Sequence, residues 1–494
     1  MPPVEQIKLK RAGTGLRAYD PDRAWHGFTL FAPQTGGGNV YLVDLEGNVV
    51  HTWQMPYPPG NYGYLTERGT LFYNGKTPEN SDRFISGKPW KGGAALEADW
   101  NGRVLWEVQH PDHHHDGIRL RNGNVLLLCL AQLPRDFAAK VQGGMPGTEH
   151  NGDMYGDYLV EMTTGGRIVW EYPIWEHLDP ETDCITAVQE RREEWMHGNG
   201  VAELPNGDIV VSFRAISTVI IIDRRTGKII WKLGAPPLCG QHAPTPLPNG
   251  NLLLLCLAKL PRDLVPKIKG GMPGTEHNGE MYADYLVEMT IAGRIVWEWR
   301  TWEHFDPESD CITAVQERRE EWTHGNGLAE LPNGDVVVSF RAISTVIIIE
   351  RRTVKIIWKL GAPPLSGQHA PMPLANGNLL LFDNGPHRLD HPMPFSRVIE
   401  VELATKQIVW KYQEKRESDF FSPRISNAQR LPNGNTLICE GDFGRLFEVT
   451  AEGELVWEFV NPFFGEGPTG INNRVFRAYR YSEDEIARAK GGGS

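Results

Sequence analysis

Cysteine is scarce in this chain, six among 494 residues, and no two of them have a CxxC spacing. They therefore read as buried thiols acting as small apolar side chains, not as disulfides or metal ligands. Long apolar runs are also missing: none approaches the roughly 18 residues that a membrane-spanning helix needs. Positive charge is in deficit, with 50 Lys and Arg against 62 Asp and Glu and a net charge of −12. The basic residues are scattered and form no stripe, which argues against a nucleic-acid partner. The opening MPPVEQIKLKRAG has no apolar core of an export signal, so the chain as written is expected in the cytoplasm and off the membrane. What remains is a chain 40% hydrophobic and 23% charged, able to bury a large core.

What the chain does have is a duplication. Residues 122–248 recur at 249–375, and 103 of the 127 positions are identical. Most differences are mild, such as Val125 to Leu252, Asp223 to Glu350 and Thr182 to Ser309. A unit that can be inserted whole beside its twin is the mark of a repeat architecture. The high identity points to a recent event. The terminal Gly491-Gly492-Gly493-Ser494 reads as an appended flexible tail and leans toward a laboratory origin.

A shorter rhythm runs inside the duplication and beyond it. Apolar runs ending in tryptophan recur eight times, at Trp53, Trp106, Trp170, Trp231, Trp297, Trp358, Trp410 and Trp457. Before most of them stand a run of strand formers and a polar turn, and further upstream an Asn-Gly turn such as Asn122, Asn206, Asn249, Asn333, Asn376 or Asn433. β-Branched runs split by turn chemistry are hairpins. Four strands per unit and eight units predict an all-β, eight-bladed propeller of four-stranded antiparallel blades, which leaves only short, protected strand edges. Residues 1–490 are expected to form a single domain. The first unit shows only three strands, so the C-terminal run Arg474 to Tyr481 is expected to supply the fourth and close the ring.

Histidine carries the functional signal. His113-His114-His115-Asp116 opens the third unit, His197 the fourth, His242 the fifth, His324 the sixth and His369 the seventh. In a propeller the innermost strands line the central channel, so residues at their entry converge from several blades. Arg214 and Arg341 follow His197 and His324 by 17 residues, in strands that are otherwise apolar. A guanidinium in such a setting needs an anion or water, and imidazoles beside guanidinium groups suit an oxyanion such as sulfate or phosphate. The alternative is that these groups satisfy hydrogen bonds between blades. Adjacent residues of an extended strand face opposite ways, so the run of three histidines is not expected to hold a metal.

These elements, taken in order, resemble the aryl sulfotransferase (arylsulfate sulfotransferase) family of β-propellers: the His-His-Asp element, His-x-Asn at His197 and His324, Ser-x-Arg before a Ser-Thr strand, and Gln-His followed downstream by Leu381-Phe382-Asp383-Asn384-Gly385. The likeness is close over residues 113–385. It implies transfer of a sulfuryl group from a phenolic sulfate ester to a phenol acceptor through a sulfated histidine, with no cofactor. It further implies that His369, with His242 as a second candidate, is the nucleophile; that His324, His197, Arg341 and Arg214 hold the sulfuryl oxygens; and that His114 or His115 is the acid or base at the phenol oxygen. Family members typically have six blades and often an export signal. Removing one 127-residue copy would restore six units here, so two blades have been added. Ala243 and Ala370 replace the aspartate that usually follows Gln-His in the family. Two other readings compete: a duplicated or engineered scaffold whose widened channel leaves the catalytic groups too far apart, and a quinoprotein-like dehydrogenase.

Overall fold

The computed structural model describes residues 13–491, apart from 36, 67, 80–90, 186–190, 205, 217, 234–244, 248, 277–278, 291–293, 424–425 and 468–469. Eight of its sheets are antiparallel blades of four strands, one of them extended by a fifth, in an eight-bladed propeller; a small two-stranded sheet, Gly465–Gly467 with Gly470–Asn472, stands apart. Each tryptophan of the sequence rhythm lies on the fourth strand of its blade counted from the inner edge, from Val49–Gln54 in blade 1 to Leu455–Val460 in blade 8.

The ring closes twice. The C-terminal strand Val475–Tyr481 pairs with Phe28–Pro33 and becomes the inner strand of blade 1, as the three-strand first unit predicts. The N-terminal strand Gly15–Tyr19 pairs with Leu455–Val460 and becomes a fifth, outer strand on blade 8. That second closure was not foreseen. A helix, Glu483–Gly491, follows the closing strand and tucks Ile486 between blades 1 and 2, so Gly491 belongs to ordered structure and not to the tail.

Apolar side chains pack face to face between every pair of neighbouring blades. The largest clusters join blades 3 and 4 through Leu128, Trp195 and Phe213, and blades 5 and 6 through Leu255, Trp322 and Phe340; blades 8 and 1 meet through Leu446, Trp457 and Phe31. This non-directional burial supplies the main cohesive term. Polar links set the register. Glu161 accepts from the side chains of Asn122 and Asn124 in its own blade and pairs with Arg224 of the next. Glu288 repeats this with Asn249, Asn251 and Arg351, and Glu400 with Asn376, Asn378 and Arg430. The Asn-Gly-Asn turns are thus part of the blade joints, where a buried carboxylate needs both hydrogen bonds and a cation. Among the described residues Cys129, Cys256 and Cys439 are buried free thiols.

Candidate active site

The candidate histidines among the described residues stand at the start of inner strands, and each of those strands begins with a break in pairing register: between Leu127 and Cys129 opposite the strand His113–Arg119, between Gly198 and Gly200, between Gly325 and Gly327, and between His369 and Met372. Bulges re-aim side chains and are common beside active sites. Three of the histidines adopt left-handed backbone, with φ of 50° at His115, 53° at His197 and 52° at His324, a region histidine enters more readily than most residues. The glycine after His197 or His324 is required by what lies next to it. A Cβ at Gly198 would sit 2.6 Å from Asp157 Oδ1, and one at Gly325 equally close to Asp284 Oδ1. The two amides instead donate to these buried carboxylates, at 2.9 and 2.7 Å.

One cluster occupies blades 6 and 7. His369 Nδ1 lies 2.8 Å from Asn384 Oδ1 and 3.1 Å from the carbonyl of Gly367. The Asn384 amide nitrogen donates to the carbonyl of Ser422 at 2.8 Å, which turns its oxygen toward the ring. With two acceptors facing Nδ1, the proton resides there and Nε2 carries the lone pair. Burial, chiefly, and the nearby Arg341 and His324 charges hold the His369 pKa below the usual histidine value. Arg341 donates to Glu317 through both terminal nitrogens, at 2.7 and 3.2 Å. His324 Nδ1 is 2.7 Å from Glu321. Burial opposes the imidazolium of His324, but the Glu321 carboxylate outweighs it and the pKa is raised. The backbone amide of Arg341 donates to the His324 carbonyl at 2.9 Å, tying guanidinium and imidazole to one hairpin. Asn326 donates from its side chain to the carbonyl of Gln368 at 2.8 Å, linking the two blades.

A second cluster occupies blades 3 and 4. The His115 and His197 rings meet edge-on with centroids 4.9 Å apart, and His197 Nδ1 is 2.8 Å from Glu194. His115 Nδ1 is 2.7 Å from His114 Nδ1. His114 in turn is buried, with Nε2 3.0 Å from the buried Asp157; of the two histidines left open by the sequence, His115 is the more accessible. Arg214 is exposed, and its amide donates to the His197 carbonyl at 2.9 Å. Burial and then the charges of His114, His197 and Arg214 drive the His115 pKa well down. His113 is structural: its Nδ1 accepts from the Gly93 amide at 3.1 Å, and burial pushes its pKa down to about 3. His242 lies outside the described residues.

The candidates therefore form two groups. Those acting most on His369 are Arg341 and His324, and those acting most on His115 are His114, His197 and Arg214. In a ring of eight, blade 3 stands opposite blade 7. The copies also differ in detail. His115, His242 and His369 follow one another at 127-residue steps, and the same step carries Asn384 onto Leu257. Only His369 has an asparagine at that place. Asp157 faces His114, whereas its equivalent Asp284 is met by Thr323 Oγ1 at 2.5 Å, in the position of Met196.

Sequence reasoning missed Glu317, Glu321, Glu194, Asp157 and the role of Asn384. A recurring Glu-x-x-His, Glu194 to His197 and Glu321 to His324, was a usable signal for two of them. It also missed His387, whose Nδ1 accepts from the Gln316 side chain at 2.7 Å beside the Glu317–Arg341 pair. Among the described residues no group of three His, Cys, Asp or Glu is arranged to hold a metal ion, and no helix is long and apolar enough to cross a membrane.

Arg214 and Arg341 lie not inside strands, as the apolar runs suggest, but in the turns directly after Ile209–Phe213 and Val336–Phe340. An eight-bladed propeller with imidazoles at its inner strand entries and arginines in the adjoining turns defines the class of protein. Two family models, both described as arylsulfotransferase (ASST), match residues 27–242 and 241–462, and the chain belongs to the arylsulfotransferase family. It is 35% identical over 441 residues to the arylsulfate sulfotransferase AssT of Escherichia coli O6:H1, an alignment that covers 83% of this chain. The chain spans 58% of that relative's length. Among solved structures, the dihydro-heme d1 dehydrogenase NirN in complex with DHE is similar over 99% of this chain and 84% of its own, with a TM-score of 0.50 and 11% identity; this is a likeness of fold. The apo AztD of Citrobacter koseri matches over 92% and 98% of the two chains, with 9% identity and a TM-score of 0.46.

Proposed function

We propose that the chain transfers a sulfuryl group from an aryl sulfate ester to a phenol acceptor, with His369 as the nucleophile. One observation carries the reading: among the three histidines spaced at 127 residues, His369 has a carboxamide anchoring Nδ1, and the others have leucine at that place. The anchor leaves Nε2 as the attacking atom. A neutral imidazole with a free lone pair is a competent nucleophile near neutral pH. In the first step the N–S bond forms as the S–O bond to the aryl group breaks. In the second the phenol oxygen attacks sulfur, and His369 leaves with its lone pair restored. Arg341 and His324 offset charge on the transferring group. The proton exchanged with the phenol oxygen is assigned to His115, or to His242 on the sequence ground that it stands one 127-residue step after His115.

The scaffold reading draws on a different observation. The His-His-Asp element and His369 stand on opposite blades, and proton transfer needs hydrogen-bond reach. Displacements of about 1 Å can cost roughly a hundredfold in rate. Turnover of 4-nitrophenyl sulfate with a phenol acceptor separates the two readings, using the parent chain and the variants His369→Ala, His242→Ala and Arg341→Ala. Loss in all three is expected. A parent no faster than buffer would leave only the scaffold, and an active His369→Ala would move the nucleophile elsewhere.

A further inference from the structure

We infer that Glu317 is a specificity residue that makes this site select a monoanionic sulfate ester over a dianionic phosphate ester. The inference rests on the proposed function and deepens it. Sulfate and phosphate monoesters are nearly isosteric, so shape and hydrogen bonding alone separate them poorly; charge is what differs. At neutral pH the sulfate ester carries one negative charge, and the phosphate ester approaches two above its second pKa of about 6.

The cations of this cluster come ready-paired. Arg341 is held by both carboxylate oxygens of Glu317, at 2.7 and 3.2 Å, and His324 has Glu321 at 2.7 Å. His369 brings no charge, since its partner is the neutral Asn384. The blade 3 and 4 cluster repeats one of these pairs, with Glu194 2.8 Å from His197. A guanidinium has five N–H donors; two are used on Glu317, which leaves three to grip an ester oxygen. Donors therefore remain while net positive charge does not.

Glu317 is fixed in this position. The neighbouring Gln316 donates to His387 Nδ1 at 2.7 Å, and the amide of Glu317 donates to the Ala314 carbonyl at 3.1 Å. Arg341 and Glu317 side chains are 26% and 20% exposed, so the pair is reachable by a ligand yet screened less than a surface pair. In such a setting a fixed carboxylate a few ångströms from the bound group penalises each added negative charge. A monoanion feels that penalty once, and a dianion twice.

The test is calorimetric binding of phenyl sulfate and phenyl phosphate at pH 8 to the whole chain, which needs no turnover. The parent is expected to prefer phenyl sulfate. Glu317→Gln keeps size and an acceptor oxygen while deleting the charge, and is expected to move the affinity ratio toward phenyl phosphate by about tenfold or more. Glu317→Asp, which keeps the charge, should retain the parent's preference. Glu308→Gln removes the same charge from an exposed loop position and should leave the ratio unchanged. A ratio in Glu317→Gln within twofold of the parent's overturns the inference, as does an equal shift in Glu308→Gln or a failure of both anions to bind any form. A shifted ratio in a chain that does not turn over 4-nitrophenyl sulfate would uphold the inference while sinking catalysis.

Discussion

Val354 stands at φ 62° in a hairpin turn where Gly227, its equivalent 127 residues earlier, stands at φ 67°. The two turns have the same shape, but a β-branched side chain is strained in left-handed backbone, whereas glycine is not. Val354→Gly should therefore raise the resistance of the chain to denaturant, by about 1 kcal/mol. Urea unfolding checks it. A lower midpoint in the variant would mean that the valine side chain contributes more than its backbone costs.

The eight blades were legible because each ends in an outer strand with an apolar run and a tryptophan, a local pattern that survives in linear sequence. Gly15–Tyr19 was not, since GLRAY has no alternation to mark it and its partner, Leu455–Val460, lies at the other end of the chain. The histidines and arginines were legible through recurrence. Their carboxylates were hidden for a physical reason: Glu317 and Glu321 lie in a stretch, QERREEW, whose density of charge looks like a solvated loop, and only the packing of blade 6 against that loop selects which of its glutamates meet Arg341 and His324.

Asn384→Leu copies what the chain itself has at Leu257. If the amide holds His369 with its proton on Nδ1, losing it frees the ring to rotate and to change tautomer, and kcat for 4-nitrophenyl sulfate should fall by about a hundredfold with KM little changed. Asn384→Asp keeps an acceptor on Nδ1 and should retain much of the rate. Equal loss in both variants would point instead to collapse of the Ser422 contact.

Asp284 gives a stability prediction with a definite sign. Burial, partly offset by the hydrogen bond from Thr323, raises its pKa to about 7, above the ordinary value of about 3.9 expected in the unfolded chain. The protonated form is thus favoured in the fold; its contribution is complete below pH ~3.9 and is lost as pH rises toward 7. Asp284→Asn cannot ionise, so its melting temperature relative to the parent should climb between pH 4 and pH 8. A difference that stays flat with pH would show that the carboxyl does not titrate in this window.

His324 and His369 are shifted in opposite directions, and the pH dependence of catalysis follows from both. His369 must be neutral to attack, and burial together with the Arg341 charge keeps it so to below the usual histidine pKa; the acid limb of kcat/KM should lie on the low side of 6.5. His324 works as a cation, and Glu321 keeps it protonated past its usual range, so the alkaline limb should lie on the high side. Removing that carboxylate in Glu321→Gln leaves burial, the largest cause, and Arg341 to lower the His324 pKa against the weaker opposing charge of Asp284. The alkaline limb should then move toward acid, and the acid limb, set by His369 and held down in part by the His324 charge, should not move lower, so the profile narrows. An alkaline limb that does not move in Glu321→Gln would remove His324 from the role of charge stabiliser and leave Arg341 to act alone.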